Sequence, residues 1–486
     1  MRGRRAVAWG IVAASVLFWF PLIAGAVEDA GATTAVRPIP TAGVPSETRE
    51  LWYAVFMDLA GKHSRAGYMR FQRETLPDRI RLVMEMELEI SEGGQALKQS
   101  TFERTDLTPT GDLISFEKRT VQPGAEVLQR GVAKDHDLIV DTTAGGRTTT
   151  RTIHFEGAPR TEASAEFAFA KEGMKPGAKL RVPVVDPRGG ELTYMDIEIT
   201  REVPCPKGTD GGACFETKET MLGLEVVSIL DARGDLLSAR VAFLDIERST
   251  REDALGKPAG PAADLTAVVS VRPTGVPLPA GGATFARYRL RGTGVEKLAL
   301  ADFRQAYAAP DLTVTVGPPD APAPSAPETA ALLAPTPLIQ SDAPEIRAVA
   351  DAAAKDAADA PGAALLLHRW VFEHLRKKSN ATSLDSALQV LRDRQGDCLS
   401  HSVLLTALLR ARGIPAKVVA GLVYFEGAFR YHAWVYAYAG RWMALDPTLD
   451  RVPPDAEYIR LADEETGDVS WLNSLADFAV EVLEAR

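Results

Sequence analysis

Between Glu50 and Gly294 apolar side chains keep returning at every second position, and glycine-rich turns break the pattern at intervals. A period of two sends successive side chains to opposite faces of a sheet, which confines this half of the chain to strands with one buried and one wet face. Arg79 to Ile90 shows it most plainly. Ile80, Leu82, Met84, Met86, Leu88 and Ile90 share one face, while Arg79, Arg81, Glu85, Glu87 and Glu89 share the other. Turn signals follow at Gly93-Gly94, Gly111-Asp112, Gly145-Gly146, Pro187 to Gly190 and Arg233-Gly234-Asp235. Thr193 to Val203, Glu225 to Leu230 and Leu236 to Ile246 are further strand candidates. The spacing implies a long antiparallel meander, as a strongly curved sheet or as two packed sheets.

The composition changes between Asp311 and Pro337, where proline and alanine dominate. Proline fixes φ, so this stretch reads as an extended, semi-rigid linker. Beyond it the period becomes helical. Helices are expected over Glu345 to Ala357, from near Pro361 with Leu367, Trp370, Val371 and His374 on one stripe, and over Ser383 to Arg394 with Thr382 and Asp385 as a capping box. A fourth runs from Cys398 to Arg412 and stops at Gly413. Strands are then expected over Lys417 to Phe425, Tyr431 to Tyr438 and Arg441 to Leu445. The fold class is multidomain α+β, an antiparallel β-rich region followed by an α+β unit. The expected divisions are a signal (1–26), a flexible lead-in (27–49), the β-rich region (50–310), the linker (311–334) and the C-terminal unit (335–486).

The N-terminus has the three parts of an export signal: a start carrying Arg2, Arg4 and Arg5, an uncharged apolar run from Ala6 to Ile23, and the small residues Ala24-Gly25-Ala26. Left uncleaved, the same run is nearly long enough to anchor the chain in a bilayer. The expected location is the periplasm or cell envelope. Three cysteines occur in 486 residues. Cys205 and Cys214 flank Asp210-Gly211-Gly212, and their spacing lacks the two-residue gap of zinc and thioredoxin motifs, so they read as a disulfide closing a hairpin. A formal charge of −10 argues against a nucleic-acid surface.

Cys398 is then an unpaired thiol in an oxidising compartment, at the start of a helix whose Leu404, Leu405, Leu408 and Leu409 require burial. A helix N-terminus favours the reactive thiolate, and its first-turn amides can serve a developing oxyanion. His432 and Trp434 lie two apart on an expected strand and therefore face one side, imidazole towards the thiol and indole as a wall against water. Asp446 ends the next strand and can orient the other imidazole nitrogen. His401, three residues beyond Cys398, is the rival base, but its place on the same helix suits a supporting role better.

The strings Gly396-Asp397-Cys398, Leu404 to Ala416, Tyr431-His432-Ala433-Trp434 and Leu445-Asp446-Pro447-Thr448 resemble the bacterial transglutaminase-like family. The resemblance covers about Pro335 to Arg460 and implies a papain-like core with Cys398 as nucleophile, His432 as base and Asp446 as its orienting partner. Related sequences often carry a histidine after the aspartate, where this chain has Ala456-Glu457-Tyr458-Ile459. The resemblance implies no required cofactor or metal. Gln395 is a candidate second oxyanion donor. The function implied is amide-bond chemistry on a protein or peptide, peptidoglycan peptides included, with hydrolysis favoured over transamidation. A non-catalytic envelope binding or assembly protein is the alternative, and an apolar-ligand carrier a third.

Overall fold

The computed structural model describes residues 47–486 apart from 60–61, 93–94, 123–124, 165–173, 186–191, 207–211, 222, 257–269, 299, 317–320, 378–384 and 464–476. The signal, nearly all of the lead-in, and the turns at Gly93-Gly94 and Pro187 to Gly190 lie outside the described residues. Among the described residues no helix is long and apolar enough to cross a membrane.

The alternating half forms one antiparallel sheet of fourteen strands. From β1 (Glu47–Leu59) it meanders outward to β8 (Arg147–His154), restarts at the opposite edge with β9 (Lys179–Val185), and returns to β14 (Leu244–Ser249), which pairs with β1. Ile80, Leu82, Met84, Met86 and Leu88 of β3 (Ile80–Glu92) are buried, as their spacing requires. They share an apolar cluster with Leu51, Tyr53 and Val55 of β1 and with Met195, Ile197 and Ile199 of β10 (Leu192–Val203). A flat sheet of this width would leave such a face wet, so it must curve. The connection from β8 to β9 reports the curvature. Pro159 accepts from the Leu113 amide of β5 (Leu113–Gln122) at 2.8 Å, and the turn Glu162–Ser164 just beyond packs against β9.

Leu236 to Ile246 is a hairpin and not a single strand. β13 (Leu236–Val241) pairs back on β14, with Ala242 at φ 48° in the turn. Cys205 and Cys214 are disulfide-bonded with Cα atoms 5.2 Å apart, joining the end of β10 to β11 (Cys214–Met221).

In the C-terminal half, β15 (Ser270–Val271), β23 (Ala428–Tyr438), β22 (Ala416–Phe425) and β25 (Tyr458–Asp463) lie side by side, and β24 (Trp442–Leu445) also pairs with β23. Glu426 and Gly427 both take positive φ, the two-residue turn that matches strand twist in a hairpin. The Cys398–Ala411 helix is buried from Cys398 to Arg410 and packs on Ala433, Val435 and Ala437 of β23. Helices Pro344–Ala353, Ala360–His374 and Ala387–Asp393 surround it. The last of these begins later than expected. Ser386 is its N-cap, accepting from the Gln389 amide, and Thr382 lies outside the described residues.

The stretch expected as linker carries structure. Asp311–Thr315 is β19, and Ala326–Leu333 is a helix closed by a capping box between Ser325 and Glu328. Between them, the Trp442 indole donates to the Pro322 carbonyl at 3.0 Å. β19 belongs to a sheet with the order β16 (Thr274–Gly275), β26 (Ala479–Ala485), β17 (Phe285–Arg291), β19, β18 (Gln305–Ala308). Residues on both sides of the expected boundary at 335 thus share one sheet. Val480 and Val482 of β26 and Tyr288 and Leu290 of β17 are all buried in it. A second tie comes from the tip of the hairpin formed by β7 (Asp137–Ala144) and β8. Gln340 donates to the Ala144 carbonyl at 3.1 Å, Arg392 donates to the Gly145 carbonyl, and Arg147 pairs with Asp342. Gly145 has φ 58°, and a Cβ there would fall 2.0 Å from Ser386 Oγ.

A fragment starting at residue 335 leaves the buried valines of β26 without their neighbouring strands. It is expected to melt non-cooperatively, while one starting at residue 270 shows a single sharp transition. Circular dichroism on the two fragments checks this.

Candidate active site

Asp397 caps the Cys398 helix. Its carboxylate accepts from the Ser400 amide at 2.7 Å, and Ser400 Oγ donates to Asp385 at 3.3 Å. Gly396 permits this tight start, since a Cβ there would lie 2.3 Å from Ser400 Cβ. The glycine is needed for packing inside the fold. Cys398 is therefore held at the first helical position, free of any disulfide and 8% exposed.

His432, on β23, contacts the Cys398 thiol. Its Nε2 lies 2.8 Å from Asp446 Oδ2, which leaves Nδ1 as the nitrogen facing sulfur. Asp446 is completely buried. Its Oδ1 accepts from the amides of Thr448 (2.8 Å) and Leu449 (3.2 Å), and its Oδ2 accepts a second bond from the Tyr458 phenol at 2.7 Å. All four acceptor positions of the carboxylate are occupied.

These contacts set the charges. Burial works against a charged His432, yet the Asp446 charge and hydrogen bond, with the contact to Cys398, hold the imidazole's pKa up to about 10. Burial also opposes an ionised Asp446, but the imidazolium, the Tyr458 phenol and the Thr448 amide bring its pKa down to about 2. The arrangement can hold a proton on His432 beside a thiol and hand it to an atom bonded to that sulfur's target.

The structure thus brings Cys398, His432 and Asp446 together. Trp434 is fully buried, with its ring centroid 6.3 Å from that of His432 and 5.3 Å from that of Tyr458. His401 is buried too, but its Nδ1 donates to the Asp397 carbonyl at 2.6 Å, back along its own helix. Two residues escaped the sequence reading. One is Tyr458, in the segment that follows Asp446. The other is His368, whose Nε2 donates to the Asp446 carbonyl at 2.9 Å. The signal for His368 was present. Ala364, Leu367, His368 and Val371 form the buried stripe of their helix, whereas His374, placed on that stripe from the sequence, is exposed and Trp370 is half-buried.

Elsewhere among the described residues, Asp58, His63 and Asp245 bring potential metal-ligand atoms within 4.8 Å of one another. Arg240 already engages both oxygens of Asp245, at 2.7 and 2.9 Å, and its charge disfavours a cation there.

Residues 347–447, which include all three side chains, match the model of the transglutaminase-like superfamily. The C-terminal half of the chain contains a transglutaminase-like domain. An uncharacterized protein of Mycobacterium leprae is 32% identical over 93 residues, covering 17% of this chain and 33% of its own, so the match spans about a third of that relative. Among solved structures, a candidate cysteine protease from Cytophaga hutchinsonii is similar over 44% of this chain and 82% of its own, at 18% identity and a TM-score of 0.28. A beta-barrel-like protein of a domain of unknown function from Brucella abortus is similar over 41% of this chain and 95% of its own, at 9% identity and a TM-score of 0.33.

His432 holds its proton more tightly in the folded protein than in the unfolded chain. The resulting stabilisation is complete below about pH 6.5 and is lost as pH rises towards 10. The melting temperature should fall across that window in the wild type and fall less in His432→Gln, as followed by calorimetry in matched buffers.

Proposed function

We propose that the protein is an exported cysteine enzyme that cleaves amide bonds of proteins or peptides through a thioester on Cys398. One observation carries the reading: a buried imidazole sits between an unpaired thiol at a helix start and a buried carboxylate. In this scheme the Cys398 sulfur attacks the substrate carbonyl, and the Cys398 amide at the helix N-terminus donates to the oxyanion. His432 gives its Nδ1 proton to the leaving amine as the C–N bond breaks. Water then enters, losing a proton to His432, and the thioester opens to acid and thiol. Asp446 keeps the imidazole in the tautomer and orientation that both transfers need. Hydrolysis is favoured over transfer to an amine, because water is abundant and no acceptor-amine site is recognisable in the sequence or among the described residues. The substrate class includes peptidoglycan peptides. The Cys205–Cys214 disulfide supports an oxidising compartment, as periplasmic or cell-envelope residence requires.

Cys398→Ala is expected to abolish covalent intermediate formation on an amide or glutamine-peptide reporter. His432→Ala should lower turnover by about 10²-fold or more, the usual scale for a lost general acid–base. Asp446→Asn should leave more activity than His432→Ala, and His401→Ala should cost far less than either. Turnover of the reporter by the four variants, with mass spectrometry of the acyl-enzyme, decides. An acyl adduct that persists in Cys398→Ala means that the nucleophile lies elsewhere.

A further inference from the structure

Tyr458 has no part in the scheme above, yet it touches the residue on which the scheme turns. It is 2% exposed, its hydroxyl lies 2.7 Å from Asp446 Oδ2, and its ring stands edge-on to His432 with centroids 6.0 Å apart. We propose that Tyr458 is a positioning residue that acts on the chemistry through Asp446, its phenol sharing Oδ2 with the His432 imidazole and so limiting how tightly the carboxylate holds the imidazole's proton. The proposal rests on the reading of Cys398, His432 and Asp446 as one unit.

The two oxygens of Asp446 are served differently. Oδ1 is fixed by two backbone amides of the turn that follows, so the carboxylate keeps its orientation without help from Tyr458. Oδ2 carries the functional bond, and there two side-chain donors draw on the charge of one atom, at 2.7 and 2.8 Å. Among the described residues no other side chain donates to it. Hydrogen bonds to an anion lower its proton affinity, and a second donor weakens its hold on the first. Removing the phenol leaves the imidazolium with an undivided partner.

The consequence falls on the step that breaks the C–N bond. His432 must take up a proton and then release it to the leaving amine, and an imidazolium held too firmly is a poor acid. Tyr458 relaxes that hold while remaining a donor itself. Burial first, and then the neighbouring Asp446 charge, push its ionisation far above the ordinary range of a phenol. Asp455 adds to that effect and Arg451 opposes it. The other groups around the unit act on different atoms. His368 bonds the Asp446 carbonyl, Asp397 and Tyr431 lie near Cys398, and His401 is turned to the Asp397 carbonyl.

The test is the rate of Cys398 alkylation by iodoacetamide against pH, measured on the full chain. It compares the wild type, Tyr458→Phe, a protein with 3-fluorotyrosine placed only at position 458, and His432→Ala. Tyr458→Phe should move the high-pH limb up by about half a unit, the scale expected for one hydrogen bond on an adjacent charge. The fluorinated phenol, a stronger donor of nearly the same shape, should move it down. A limb that is unmoved or lowered in Tyr458→Phe overturns the proposal, a lowered one because the phenol would then be holding Asp446 in place. If Tyr458→Phe fails to fold, the fluorotyrosine protein decides alone: a lowered limb supports the proposal, and an unmoved or raised one overturns it. If the limb stays at its wild-type pH in His432→Ala, the three-residue reading fails and takes this proposal with it. If the limb moves in His432→Ala but stays put in both Tyr458 proteins, only the role of Tyr458 is lost.

Discussion

A carboxylate that never meets water is costly to bury unless every lone pair has a donor, and Asp446 meets that demand by drawing on three separate parts of the chain, with a fourth holding its backbone carbonyl. β23 brings His432, the following turn brings two amides, β25 brings Tyr458, and the Ala360–His374 helix sends His368 to the carbonyl of the same residue. None of these elements can shift far without stranding a charge in an apolar interior. The geometry around the thiol is thus a by-product of a satisfaction problem solved one residue away from it.

What the amino-acid order revealed, and what it hid, divides along the range of the interactions. Cys398, His432 and Asp446 were legible because each stands in a short local pattern: a cap before a helix, a strand pair, a strand end. The buried face of β3 was legible for the same reason, since alternation needs no knowledge of distant partners. Tyr458 lies twelve residues beyond Asp446, and nothing between them announces the bond. His368 did carry a signal. Taking Trp370 and His374 as the inward positions turned the stripe away from the side that packs on the fold. The proline-rich stretch misled because composition describes backbone stiffness, whereas the order there comes from β19 pairing with β17 and from a capped helix.

The two halves of the chain meet at places that matter to the site. The β7–β8 hairpin tip bonds to Gln340, Asp342 and Arg392, and Gly145 fits beside Ser386, the cap of the helix that precedes the thiol. Asp385, the neighbour of that cap, receives the hydroxyl of Ser400 in the first turn of the Cys398 helix. The large sheet is therefore mechanically continuous with the start of the Cys398 helix, through a few side-chain contacts.

β26 closes the sheet that contains β17, although the two strands lie nearly two hundred residues apart in sequence. Ribosomes release a chain from its N-terminus onwards, so β17 to β19 must wait, with one edge bare, while the helices and both strands bearing His432 and Tyr458 are made. Pairings across such distances form late. During that wait the thiol belongs to an unfinished body. The free thiol of Cys398 thus reaches its finished surroundings only when the last strand is paired.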